Sequence, residues 1–161
     1  MTVRVYVGLG SNVEPQRHVP SALAALRRRF GALETSSLYE TEAVGFAGAP
    51  FHNLAVGFGT DEPPEAVVAA LAAIEDANGR DRRGPRFGPR TLDLDLLLYG
   101  DLVGEVAGRP VPRPELVEHA FMLAPMAELA PGLRHPVLGR TLAELWAAHP
   151  GGAIRRLGPA P

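Results

Sequence analysis

The chain has 161 residues, a formal net charge of -2, 46% hydrophobic and 21% charged residues, the make-up of one soluble domain large enough to bury its own core. It contains no cysteine, which excludes disulfides, thiolate metal sites and a cysteine nucleophile. The acidic balance argues against nucleic-acid binding through the whole surface, and no leader-like or membrane-length apolar run occurs, so a cytoplasmic protein that binds no membrane is expected.

Residues 3–10, VRVYVGLG, alternate around β-branched positions and predict a strand. Pro15 to Phe30 predicts a helix with Val19, Leu23, Leu26 and Phe30 along one stripe. Residues 33–41 predict a second strand, 42–50 a loop, and 51–60 a third strand. Residues 61–80 carry the clearest helix pattern, with prolines at the entry, Glu65 in the first turn and Asn78-Gly79 as the stop. A loop rich in arginine follows to residue 91, then a strand over 92–99. Beyond it the pattern predicts a short hairpin within 101–114, a helix in AFMLAPMAELAP cut near Pro125, another in TLAELWAAH, and a final strand in AIRRLG. The β-α-β-β-α-β order predicts an α+β, ferredoxin-like sandwich with helices on one sheet face and a mostly helical C-terminal extension. A single domain over residues 1–161 is expected, with the second sheet face open to carry a site.

The run LDLDLLLY places Asp93 and Asp95 in the last core strand. Alternation sends Leu92, Leu94, Leu96 and Leu98 to the helices, and Asp93, Asp95, Leu97 and Tyr99 to the opposite face. Two carboxylates roughly 7 Å apart on one face repel by about 2 to 3 kcal/mol at an effective dielectric near 20. A raised pKa, arginine partners or bound divalent cations would each relieve that repulsion. By itself such a pair is most often the solvated half of an alternating strand. Directly before it, however, Arg80, Arg82, Arg83, Arg86 and Arg90 lie on a segment broken by glycine and proline. Guanidinium forks suit phosphate, and carboxylates beside them suit Mg²⁺, so together they resemble the two halves of a phosphoryl-transfer site.

The stretch GPRTLDLDLLLYG resembles the central signature of the hydroxymethyl-dihydropterin pyrophosphokinases of folate biosynthesis. YVGLGSN, SSLYETEAVG, PFHNLAV and FMLAPMAELAP are similar to further segments of that family, so the resemblance runs along nearly the whole chain. It implies transfer of pyrophosphate from ATP to the hydroxymethyl group of 6-hydroxymethyl-7,8-dihydropterin, with release of AMP. It implies that Asp93 and Asp95 hold two Mg²⁺, that Arg80 and Arg90 engage ATP phosphates, and that Arg82, Arg83 and Phe87 belong to a loop that closes over ATP. By the same resemblance Thr41, Val44, Phe51, Asn53 and Phe121 form the pterin site, with Phe51 and Phe121 on the two faces of the ring and Asn53 at its edge. Without it, both phenylalanines would read as core. Glu75 matches a position near the site that orients a ligand or an arginine. The implied partners are small molecules, ATP and the pterin, with no nucleic acid; a monomer is expected.

The segment VPRPELVEHAFML departs from the family pattern. Arg113 replaces a histidine, Glu115 an arginine and His119 a further arginine, all at positions that help hold ATP. Arg113 and His119 can still serve ATP binding, whereas Glu115 removes a positive charge. That change motivates one alternative, a member that binds pterin or nucleotide without turnover. Another is a nucleic-acid-binding module of the same βαββαβ order, with Tyr6, Phe51 and Phe58 as candidate stacking rings; the paired aspartates would repel its phosphates.

Overall fold

The computed structural model describes residues 1–43, 48–79 and 91–161. The strand order of the main antiparallel sheet is β5 (Asp93–Tyr99), β1 (Val3–Ser11), β4 (Phe51–Thr60), β3 (Leu38–Thr41) and β8 (Ile154–Gly158), with β2 (Glu34–Thr35) also paired to β4. Helices α1 (Pro15–Phe30) and α2 (Pro64–Ala77) supply the apolar stripes that cover one sheet face. Val5, Val7 and Leu9 of β1, Leu54, Val56 and Phe58 of β4, and Leu94 and Leu96 of β5 meet Val19, Leu23, Leu26, Val67 and Leu71 there. Each of these large side chains contributes about 1.5 to 3 kcal/mol by leaving water.

A second core lies on the other face. Helices α3 (Glu115–Glu118), α4 (Ala120–Leu129) and α5 (Leu142–Ala148) bring Leu116, Leu123, Met126 and Leu142 against Tyr6, Ala55, Leu97 and Leu98. That face is therefore only partly open, contrary to the expectation of helices on one side alone. The short hairpin β6 (Gly104–Val106) and β7 (Arg109–Val111) forms within the predicted segment. The thread from α5 to β8 returns the chain to the sheet edge beside β3.

Three local expectations change. The second strand is broken: Ser36 Oγ accepts from the Ala55 N–H at 2.9 Å and donates to the Ser37 carbonyl, so a side chain takes a place in the ladder and splits β2 from β3. Helix α4 runs through Pro125 because Leu123, Met126 and Ala127 bury around it, and packing outweighs the lost hydrogen bond. In β5, Leu98 pairs with Tyr6 and Leu96 with Val7, leaving Leu97 as an extra residue. This bulge reverses the alternation, so Leu98 joins the second core and Tyr99 turns toward the first. The aspartates precede the bulge and keep the predicted face.

Candidate active site

The site is built on three adjacent strands. Asp93 pairs with Gly10 and Asp95 with Gly8, while Gly10 also pairs with Asn53 across β4. Asp93, Asp95 and Asn53 thus point from the same sheet face, separated by glycines of β1. The floor is glycine for a steric reason: a Cβ on Gly10 would lie 2.7 Å from Asn53 Oδ1 and 3.7 Å from the Phe51 ring, and one on Gly8 would lie 3.4 Å from Leu97. The segment forms the strand that its alternation predicts; the mark of the two glycines in the sequence is the alternation V-G-L-G, small on one face and large on the other.

Asn53 is buried and donates through Nδ2 to Thr41 Oγ1 at 2.6 Å, fixing its amide with Oδ1 toward Gly10. Thr41 pairs with Phe51, which is half-buried at the start of β4. Phe121 lies in the first turn of α4, the helix packed over β3 and β4, and stacks on His119 with ring centroids 4.9 Å apart. His119, expected at the nucleotide, is therefore engaged with a ring expected at the pterin. Val44 and the loop residues Arg80, Arg82, Arg83, Phe87 and Arg90 lie outside the described residues.

Around the aspartates the structure brings together residues expected to serve different roles. Arg113 is buried, its backbone N–H donates to the Leu97 carbonyl at 3.0 Å, and its Nη2 donates to Asp95 Oδ1 at 2.7 Å. Arg113 Nε is buried with no hydrogen-bond partner among the described residues. Glu75, buried at the end of α2, accepts from the Leu94 N–H at 2.8 Å. It therefore holds the strand between the two aspartates. Burial, and after it the charge of Asp93, push the Asp95 carboxyl well above the usual carboxylate range, against the pull of Arg113.

Asp95 keeps 17% of its side chain exposed, so a ligand can reach it. Two hard oxygen donors on one face fit Mg²⁺, which takes one or two carboxylates and completes its shell with water and phosphate oxygens. Among the described residues no group of three or more His, Cys, Asp or Glu side chains forms an all-protein metal cage.

Residues 6–131 match the family model for 7,8-dihydro-6-hydroxymethylpterin-pyrophosphokinase. The chain belongs to that family. It is 43% identical over 161 residues to the 2-amino-4-hydroxy-6-hydroxymethyldihydropteridine pyrophosphokinase of Pseudomonas aeruginosa, covering 98% of each chain. A protein of the same name from Bacillus subtilis is 38% identical over 128 residues, covering 77% of this chain and 76% of that one. Among solved structures, a Plasmodium falciparum HPPK-DHPS protein superposes with a TM-score of 0.72 at 14% identity, over 91% of this chain. This chain spans 45% of that longer one, and the likeness is one of fold.

Of the three candidate stacking rings of a nucleic-acid module, Tyr6, Phe51 and Phe58, two are spent on a core: Tyr6 belongs to the second core and Phe58 stacks on Phe30 at 4.2 Å. Among the described residues no helix is long and apolar enough to cross a membrane.

Proposed function

We propose that this chain transfers pyrophosphate from ATP to the hydroxymethyl group of 6-hydroxymethyl-7,8-dihydropterin, releasing AMP, on a ferredoxin-like core. The observation that carries the reading is the placement of Asp93 and Asp95 on the sheet face that also presents Asn53, one glycine strand away. Metal-binding oxygens and an amide able to read a heterocycle edge then face one space, as a reaction between a metal-bound triphosphate and a flat ring requires.

The hydroxymethyl oxygen bonds to the β-phosphorus as the bond from that phosphorus to the bridging α-β oxygen breaks. AMP departs with the electron pair, and the hydroxyl proton passes to water. No side chain has to become covalent, in keeping with a chain that has no cysteine. Asp93 and Asp95 would hold two Mg²⁺, which when bound neutralise charge on the triphosphate and the leaving oxygen. Asn53 and Thr41 orient the pterin edge, Phe51 and Phe121 cover its faces, and Val44 completes that site. Arg80 and Arg90 engage the phosphates, with Arg82, Arg83 and Phe87 over the nucleotide. Arg113 adds a buried cation on the same side, next to the aspartates.

The test is to supply ATP, Mg²⁺ and the hydroxymethyl-dihydropterin and to measure AMP. Pterin-dependent AMP is expected. Binding of both ligands without AMP would instead support the non-turnover member that Glu115 and His119 suggest.

A further inference from the structure

Arg113 makes two different kinds of contact. Its backbone is fixed to Leu97 in the same strand as the aspartates, and its guanidinium is spent on Asp95 Oδ1, an oxygen the metal site would need. Both partners are largely withdrawn from water, with 10% and 17% of their side chains exposed. The pair is therefore screened weakly by solvent, and a divalent ion binding through Asp95 Oδ1 must displace the guanidinium or share the oxygen with it. Asp93 and Glu75 add negative charge against the same carboxylate, so the cation partly offsets what would otherwise be a dense anionic cluster. Among the described residues Arg113 Nε has no hydrogen-bond partner, so there the pairing with Asp95 leaves the fork incompletely satisfied. A buried donor without an acceptor costs free energy that an incoming phosphate oxygen would recover.

We infer that Arg113 is a resident counter-ion of the metal site, which suppresses divalent-cation binding to Asp95 in the nucleotide-free enzyme and transfers to the triphosphate when metal and nucleotide arrive together. This deepens the pyrophosphokinase reading and rests on it. The consequence is thermodynamic coupling: metal alone competes with Arg113, whereas metal with nucleotide gives the guanidinium a new partner. By reciprocity, each ligand then strengthens the binding of the other.

The test uses the full chain and Mn²⁺ as a paramagnetic probe, with free ion counted by electron paramagnetic resonance. Without nucleotide, Arg113→Gln and Arg113→Met should bind Mn²⁺ about tenfold more tightly than the unaltered chain. With a non-transferable α,β-methylene analogue of ATP, the order should reverse. Equal Mn²⁺ affinity in folded variants and unaltered chain, or weaker affinity in the variants, overturns the inference. A second measurement needs no variant to fold without its arginine. The Arg113 guanidinium ¹⁵N resonance of the unaltered chain, assigned with Arg113→Lys, should shift on adding Mg²⁺ with the analogue; an unmoved resonance overturns the transfer. Pterin-dependent AMP formation by the unaltered chain separates the two ideas. AMP with unchanged metal affinity defeats the counter-ion alone, and tightened affinity without AMP defeats the catalytic reading alone.

Discussion

Glu75 and Leu94 are joined by a hydrogen bond of 2.8 Å from the Leu94 N–H to a Glu75 carboxylate oxygen, across the interface of α2 and β5. Leu94 lies between the two aspartates, so a helix of the first core sets the strand that presents the site. Glu75→Ala leaves that buried N–H without its acceptor and should cost about 1 to 3 kcal/mol. Glu75→Gln keeps an acceptor and should cost much less. Urea unfolding measures both; equal losses would show that the hydrogen bond is not what Glu75 supplies.

Gly10 should tolerate no side chain. Gly10→Ala drives a Cβ to 2.7 Å from Asn53 Oδ1, and overpacking of this kind costs about 1 to 3 kcal/mol. The displaced amide should raise the KM for the pterin with a smaller effect on that for ATP. Gly8→Ala meets flexible Leu97 atoms at 3.4 Å and should be milder. A Gly10→Ala enzyme with unaltered pterin KM would remove Asn53 from the pterin site.

Asp93→Ala and Asp95→Ala should each lower AMP formation by about a hundredfold or more, the scale of losing a group that stabilises charge in the transition state. Far-UV circular dichroism should remain that of the unaltered chain, because neither residue belongs to a hydrophobic core. An active double variant refutes the metal role.

Glu128 ties α4 to β3 by accepting from the Ser37 N–H, Ser37 Oγ and Tyr39 OH, with Arg156 of β8 alongside. Burial pushes its carboxyl up, but the hydrogen bonds from Tyr39 and Ser37 outweigh that and leave it below the ordinary value of 4.5. A depressed carboxylate stabilises the fold above its unfolded pKa, and that stability is lost as pH falls through the folded value. Burial, then the hydrogen bond to Glu128 and its charge, raise Tyr39 from 10.0 to about 12. Its contribution is complete below 10.0 and is lost as pH rises toward about 12. Stability against urea should therefore fall at both ends; Glu128→Gln should flatten the acid limb and Tyr39→Phe the alkaline one. Unchanged limbs in these variants would assign the pH dependence elsewhere.

The residues themselves determined the regular elements and the face of the aspartates. Period-two alternation in VRVYVGLG and LDLDL, the helix stripe of Val19, Leu23 and Leu26, and the Asn78-Gly79 stop are short-range patterns, each carried by neighbouring residues. The family signature carried the proposed site chemistry with it. Tertiary structure decided what depends on residues far apart in the chain. The bulge at Leu97 exists because β5 must register against β1, and it sends Leu98 to a core that the alternation had not assigned to it. Helices α3 to α5 cover part of the second face because Leu97, Leu98 and Tyr6 present apolar surface there. Arg113, read from the chain as an ATP-binding residue, meets Asp95 because the chain after β7 returns to Leu97. A spacing of 18 residues between charges carries no periodic mark, so only the folded backbone could bring that pair together.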